Sequence, residues 1–264
     1  MDNSTRNELR SLLRDREWFQ KARVNTSNRM EIKKSGEKMK NFGNAMISEE
    51  SIPAMIEINE RCRHVENDIE AKITKIVKKD RMWNGFFKDI PGIGPIGAAY
   101  LLAEIDIYEG STRARIWQYC GLNPGMILGK KVDPETGKTY VTGELIRGDK
   151  KTNGFKCPYN QTLKPKLYKV IAEGIIKASG RSSKPNRYYE VYMNRKQRMS
   201  QSENSVGDSD RIWKDESKAH INQDAIRFML KELLSDFYEV YRAQEGLEVR
   251  VRYEQEYLGR KHHF

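Results

Sequence analysis

Apolar residues recur at helical spacing through most of the chain. Residues 5–34 form one such stretch, and after a polar break the pattern resumes over residues 48–80, where Ser48 or Ser51 can cap a helix and Pro53 fits its first turn. The positions that define these stripes are Leu9, Leu12, Leu13, Trp18 or Phe19, Ala22 and Met30, and then Ile56, Ile58, Cys62, Val65, Ile69, Ile73, Ile76 and Val77. The two stretches predict a helical hairpin or a coiled-coil arm. Packing on the same chain and homodimerisation through these N-terminal helices both remain open.

The segment DIPGIGPIGAAYLLAEI interrupts this pattern with a proline and two glycines. Phe86, Phe87 and Ile90 end a short apolar helix before the break, and another helix starts directly after it. Short loops of this kind join the two helices of a helix-hairpin-helix element. The pattern therefore predicts such an element around PGIG.

The rest of the chain alternates between one extended segment and further helices. GKKVDPETGKTYVTGE alternates polar and apolar residues about a turn, which predicts a small β-hairpin or a basic loop. Helical patterns follow over 162–180, 182–199 and 217–243, and Gly246 is a candidate C-cap. The predicted fold is mainly α, with a helical arm over 1–84 and a helix-hairpin-helix-containing domain over 85–264.

Charge adds a candidate partner. The chain has 48 Lys and Arg against 37 Asp and Glu, a net charge of +11. Seventeen basic and six acidic residues between positions 130 and 198 account for this whole excess, with tyrosines interleaved. A concentrated cationic segment favours a nucleic-acid partner, with DNA first and RNA or a branched junction as alternatives.

Other classes of function have little support. Cys62, Cys120 and Cys157 form no close pair and match no zinc spacing with the four histidines, so neither a metal nor a cofactor is predicted. No apolar run has the length of a membrane span, and MDNSTRNELR is not typical of a signal peptide. These features predict reduced thiols and a cytoplasmic location.

The glycine turn is the candidate anion site. Gly92 and Gly94 permit positive φ and a close backbone approach, and the amides from Gly92 to Ile96 lie where a helix N-terminus favours a phosphate. A simple connection between two helices is the alternative. The predicted nucleic-acid-binding residues are Gly92, Ile93, Gly94, Lys88, Lys130, Lys131, Arg147, Lys150, Lys151, Lys156, Lys164 and Lys166.

A family resemblance rests on these blocks. KKDRMWNGFFKDIPGIGPIGAAYLLAEID followed by RARIWQYCGLNPG resembles the C-terminal domain of the Piv-like insertion-sequence transposases, which are RNA-guided DEDD recombinases. GFKCPYNQTLKPKLYKVIAEGIIKASG, RYYEVYMNRKQ and the last helical block resemble shorter, stand-alone relatives from phages and mobile elements. The similarity covers about residues 50–260 and implies DNA binding through the helix-hairpin-helix element.

The sequence departs from the family pattern at two places, and both weaken the implication of a catalytic activity. The family carries an N-terminal RNase-H-like domain with four metal-binding acidic residues, whereas the roughly 85 residues before this turn have helical patterns. The family also places a nucleophilic serine in the loop after the GLxP turn, but here the nearest hydroxyls are Thr136, Thr139, Tyr140 and Thr142. Tyr140 is the one outside candidate for a nucleophile, because it lies among basic residues.

The favoured hypothesis is thus a non-catalytic DNA-binding protein of a phage or mobile element, an accessory or directionality factor in site-specific recombination. The alternatives are a transposase or recombinase with residual activity, and a module that binds a recombinase or integrase.

Overall fold

The computed structural model describes residues 1–35, 49–183, 186–207 and 209–252. The chain divides into two compact units, Met1–Asp80 and Arg81–Phe264. The mainly α prediction is confirmed, because helices dominate and the strands form one two-stranded sheet. No helix within the described ranges is long and apolar enough to cross a bilayer.

The first unit is a helical hairpin. Helix α1 spans Asn3–Ser35 and helix α2 spans Ile52–Lys79, preceded by a 3-10 turn at Glu49–Ser51. Arg16 reaches Glu70 and Arg23 reaches Glu66, so the contacts run in opposite order along the two helices. The helices are therefore antiparallel, and α2 packs on α1 of its own chain.

The buried face of α2 differs in part from the predicted stripe. Its buried residues are Met55, Asn59, Cys62, Glu66, Ile69, Ile73 and Val77, at spacings of three or four residues. Ile56 and Ile58, which were predicted to belong to this face, are 45% and 49% exposed. The prediction failed there because it counted only apolar residues, whereas two of the positions that face α1 are polar.

Both polar positions have partners on α1. The Asn59 amide donates hydrogen bonds to the Arg23 carbonyl at 2.7 Å and to the Thr26 hydroxyl at 2.9 Å. Glu66 accepts a hydrogen bond from Arg23 at 2.7 Å and lies 3.5 Å from an Arg16 nitrogen. Buried polar groups are tolerated when they are bonded in this way.

The second unit contains seven further helices within the described residues, with short 3-10 turns at Phe87–Asp89 and Trp213–Asp215. The helices are α3 (Arg81–Gly85), α4 (Pro95–Glu104), α5 (Arg113–Tyr119), α6 (Leu163–Lys166), α7 (Glu173–Ser179), α8 (Arg187–Ser200) and α9 (Lys218–Gln244). A π-helical stretch, Leu167–Ala172, joins α6 to α7 without a break.

Helices α4 and α9 form the centre of this unit. Seven consecutive residues of α4, from Gly97 to Ala103, are buried, since the segment GAAYLLA is apolar on every face. In α9 the largest buried side chains include Phe237, Tyr238 and Tyr241, all fully inaccessible. The Tyr238 hydroxyl is satisfied by the Ser111 carbonyl at 3.1 Å. This core holds the surface elements described next.

The alternating segment forms the predicted β-hairpin. Strands β1 (Met126–Val132) and β2 (Thr139–Arg147) pair antiparallel, with an irregularity in register between Leu128 and Lys130. The Asp133 carboxylate accepts hydrogen bonds from the amides of Glu135 and Thr136 in the connecting turn. Gly137 then takes a positive φ of 67°, which closes the turn.

Candidate nucleic-acid interface

The PGIG corner joins the turn at Phe87–Asp89 to α4. Pro91, Gly92 and Gly94 are exposed, whereas the Ile93 side chain is only 4% exposed. The Ile93 amide donates to the Ile90 carbonyl at 3.1 Å, which makes a tight turn. Ile93 therefore anchors the corner in the core and its amide is engaged within the turn, so a nucleic-acid contact at Ile93 stays a prediction.

Gly92 is a glycine for a packing reason. Its φ is +94°, and a Cβ at this position would lie less than 3.0 Å from the carbonyl of Gly174 in α7. A Cβ on Gly174 would in turn lie less than 3.0 Å from the Gly92 carbonyl oxygen. The close backbone approach predicted for a ligand is thus made by α7 of the same chain. The side-chain amide of Asn186 also holds the corner, because it donates a hydrogen bond to the Pro91 carbonyl at 3.2 Å.

Gly94 has a different environment. Its φ is −81°, so the positive φ that a glycine permits is not adopted at this position, and nothing lies within 4 Å of where its Cβ would be. Gly94 is the N-cap of α4, and no side chain caps this helix. The amides of Gly94 and Ile96 have no intrahelical acceptor, because the first amides of a helix lack one. The open side of the corner is therefore at Gly94.

Acidic residues of the segment 130–198 are partly neutralised by their neighbours. Ion pairs join Glu144 to Lys131 at 2.9 Å, Asp149 to Arg147 at 2.9 Å and Glu173 to Lys177 at 2.8 Å. Other cations of the segment are exposed and have no carboxylate partner among the described residues. They are Lys130, Lys138, Lys150, Lys151, Lys156, Lys169, Arg181 and Arg198. The surface excess of positive charge is thus carried mainly by residues outside ion pairs.

The β-hairpin brings several predicted residues together. The Lys156 amide donates to the Lys130 carbonyl at 2.7 Å, and the Lys156 ammonium donates to the Thr139 hydroxyl at 3.2 Å. Lys130, Tyr140 and Lys156 line a common cleft of about 420 Å³. Lys131 is the exception, because the hydrogen bond that its ammonium donates to Glu144 raises the pKa of Lys131 and engages its charge. The fold therefore brings Lys130, Tyr140 and Lys156 together in the cleft at the β-hairpin.

The remaining predicted cations are dispersed. Lys150 and Lys151 are exposed after β2, and Lys88 is exposed in the turn before the corner. Lys164 is half-buried with its ammonium 4.4 Å from the centre of the Tyr159 ring. Lys166 lies 5.2 Å over the ring of Tyr100 in α4. These positions form separate patches on the second unit.

The candidate nucleophile has no evident activating base. Tyr140 is 51% exposed and is paired across the sheet with Lys131. The Thr142 hydroxyl donates to the Gly129 carbonyl at 3.0 Å, and the Thr139 hydroxyl accepts from Lys156. None of these hydroxyls contacts a carboxylate or a histidine within the described part of the chain. A hydroxyl without a base is a weak nucleophile.

The GLNPG block has a structural role. Gly121 has a φ of +68°, and the amides of Gly121 and Leu122 donate to carbonyls in the last turn of α5, at 3.0 and 2.9 Å. This is the C-terminal capping pattern that glycine favours. The Asn123 side chain accepts a hydrogen bond from the Gly125 amide at 3.2 Å. The block thus ends α5 and directs the chain into β1.

Polar residues of α9 line a pocket but were not among the predicted contacts. His220, Asp224 and Arg227 lie at i, i+4 and i+7, and they line a pocket with Lys164 and Lys169. Arg227 lies outside the segment 130–198, so charge counting did not find it. The available signal was the i, i+4, i+7 spacing of these polar residues, which places them on one face of the helix.

Metal and thiol chemistry has no assembled site within the described ranges. No cluster of three or more His, Cys, Asp or Glu side chains there is arranged to hold a metal ion. The three cysteines are free, and burial strongly raises the pKa of the Cys120 thiol.

The fold and surface define a mainly α protein with an exposed, glycine-built helix corner and a cationic β-hairpin. Residues 85–137, which include the corner and β1 but end before β2, match the model of the Transposase IS116/IS110/IS902 family. No curated protein and no solved structure matches the chain. The match confirms the resemblance: this segment is related to the C-terminal domain of these transposases, and the relationship connects the protein with mobile-element recombination.

Proposed function

We propose that the protein binds DNA through its second unit and serves a phage or mobile element as a non-catalytic accessory or directionality factor in recombination. The free cysteines fit action in the cytoplasm. The proposal rests mainly on one observation: exposed cations without carboxylate partners accompany an uncapped helix N-terminus within a transposase-related segment. Cations and free amides both favour phosphate oxygens.

The spacing of these features suits a nucleic-acid strand. Gly174 contacts the corner, and Lys164 lies ten residues earlier on the same continuous helical segment. At 1.5 Å per residue the separation along the helix is about 15 Å. Phosphates of one DNA strand recur about every 3.4 Å along the duplex axis, so a strand that runs along this segment would place about four phosphates between the level of the corner and the level of Lys164.

Gly94→Asp tests the corner without disturbing its packing. Aspartate is a favoured N-cap, so we expect the variant to be at least as stable as the wild type. Its carboxylate would occupy the amides and repel phosphate, so we expect affinity for duplex DNA to fall roughly tenfold in fluorescence anisotropy at low salt. The wild-type affinity itself should decrease steeply with salt.

Gly94→Asn is the matched control, because it has the same shape and capping capacity but no charge. We expect its affinity to fall less than that of Gly94→Asp. Equal binding by Gly94→Asp and wild type would contradict the proposed role of the corner, and an affinity independent of salt would contradict phosphate capture as a whole.

A second candidate function is recognition of a partner recombinase or integrase. The β-hairpin also exposes several apolar side chains: Met126, Leu128, Val132, Val141 and Leu145 are each at least 50% accessible. Exposed apolar patches of this kind commonly mark protein interfaces. Co-purification with the element's recombinase after nuclease treatment, with no binding of DNA by the isolated protein, would favour this candidate. A covalent adduct on supercoiled DNA with Mg²⁺, absent in Tyr140→Phe, would instead indicate residual catalysis.

A further inference from the structure

A second concave feature lies away from the corner. A pocket of about 400 Å³ forms where Asp149 after β2, Lys164 in α6, Tyr168 and Lys169 in the π-helical stretch, and the start of α9 meet. Its volume lies in the range of small-molecule sites. The pocket combines charged groups with the apolar surfaces of Tyr168 and Pro165.

The two carboxylates in this pocket already have partners. Asp224 is buried, and its two oxygens accept from Arg195 at 2.7 Å and from Arg227 at 2.6 Å. Asp149 accepts a bidentate pair of hydrogen bonds from Arg147 at 2.9 and 3.0 Å. These oxygens are therefore engaged by arginines, and neither carboxylate hydrogen-bonds to a pocket lysine.

The lysines of the pocket remain without a carboxylate hydrogen bond among the described residues. The Lys164 ammonium donates to the Asp149 backbone carbonyl, and burial lowers the pKa of this lysine. Lys169 is exposed at the rim. Lys231, close to Arg227 in α9, lies over the Trp117 ring, and burial lowers its pKa as well. Burial of part of a cation is costly, and a bound anion would relieve that cost.

We propose that this pocket binds a phosphate monoester of nucleotide size, with the phosphate on Lys164, Lys169 and Arg227 and the sugar or base against Tyr168. Lys164, Lys169 and Arg227 line the pocket with Asp149 and Asp224. Arg147 and Arg195 lie outside this lining but pair with the two carboxylates, so the five cations of this set exceed its carboxylates by three positive charges. A phosphate monoester carries about −1.5 to −2 at neutral pH, so it fits this excess better than a singly charged diester.

The ligand can come from two sources, a free nucleotide or the 5′-phosphorylated end of a strand. Both present the same monoester and the same adjoining sugar and base. The inference extends beyond the proposed DNA binding, because a free nucleotide needs neither the corner nor the hairpin.

The test uses the full-length protein and deoxyadenosine 5′-monophosphate in isothermal titration calorimetry. We expect saturable binding of this nucleotide and no binding of deoxyadenosine, which lacks the phosphate. Lys169→Gln and Lys164→Met should each weaken nucleotide binding roughly tenfold, a loss of about 1.4 kcal/mol. Lys177→Gln, on an exposed turn of α7 outside the pocket, is the control and should bind as the wild type does.

Lys169 is at the surface, so its substitution does not depend on whether Lys164→Met folds. Absence of saturable nucleotide binding, or unchanged binding by Lys169→Gln, would overturn the inference. No duplex is present, so this outcome is independent of the DNA-binding test. In a second arm, preference for a 5′-phosphorylated oligonucleotide over its 5′-hydroxyl form would assign the site to a strand end, and equal affinity for the two would assign it to the free nucleotide.

Discussion

At the scale of single residues, the two glycines of one short turn have different roles. Gly92 adopts a left-handed backbone conformation against Gly174, whereas Gly94 has ordinary dihedral angles and open space around it. In this turn glycine therefore serves packing at position 92 and leaves open space at position 94. Only Gly94 offers a direct test of ligand binding.

Gly174→Ala distinguishes the two roles. An alanine within a helix normally stabilises relative to glycine, by about 0.5–1 kcal/mol. Here the added Cβ would collide with the Gly92 carbonyl, so we expect destabilisation by about 2 kcal/mol or more in urea denaturation. Gly92→Ala should destabilise similarly, because it adds backbone strain. Gly94→Asn should change stability by at most about 0.5 kcal/mol, and a stabilised Gly174→Ala would show that the two backbones are not tightly packed.

At the scale of elements, the helical hairpin shows how polar residues belong to a packed face. The face of α2 that meets α1 keeps its spacing of three and four through Asn59 and Glu66, which bond to α1 instead of interrupting the contact. Bonds of this kind fix the register of the two helices, because sliding either helix would leave buried polar groups unsatisfied. Homodimerisation through these helices remains a prediction.

Asn59→Ala measures this contribution. The substitution removes hydrogen bonds from the Asn59 amide to the Arg23 carbonyl and the Thr26 hydroxyl, so we expect the hairpin to be destabilised by about 1–3 kcal/mol. Native-state hydrogen exchange of the α2 amides would measure this change locally. Asn67→Ala, at an exposed position of the same helix, should stay within about 0.5 kcal/mol. Equal protection in both variants would mean that the buried amide contributes nothing.

At the scale of the whole molecule, the distribution of charge matters more than its sum. The net charge of +11 comes from the segment 130–198, and the paired acids in that segment leave exposed cations on the second unit. A nucleic acid bound by net charge alone would respond equally to the removal of any lysine. A localised interface would respond only to lysines near the strand.

Two matched triple variants separate these possibilities. Lys130, Lys150 and Lys151 changed to Gln should reduce the slope of log affinity against log salt by up to roughly 0.9 for each phosphate that the variant no longer neutralises. The control changes Lys72, Lys75 and Lys78 of α2 to Gln, which alters the net charge equally on exposed positions of the first unit. We expect the control slope to match the wild type, and an equally reduced slope in both variants would contradict a localised interface.

Local sequence patterns determined most elements of this protein. Helical spacing predicted α1, α2 and α9, the alternation around DPETGK predicted β1 and β2, and Gly246 ends the last helix with a φ of +68° as a C-cap glycine should. These features depend on residues within a few positions of one another, so periodicity and turn chemistry are sufficient to find them. The glycine corner and the transposase-like blocks were visible for the same reason.

Tertiary structure alone decided which surfaces these elements present. Gly92 meets Gly174 across 82 positions of sequence, and Arg227 joins Lys164 in a pocket although 63 positions separate them. The buried roles of Asn59 and Ile93 likewise depend on the surface that each one faces. The sequence specifies the periodicity of each helix or strand directly. Which elements pack against each other follows only from the fold of the whole chain, because burial and charge pairing depend on residues that are distant in sequence.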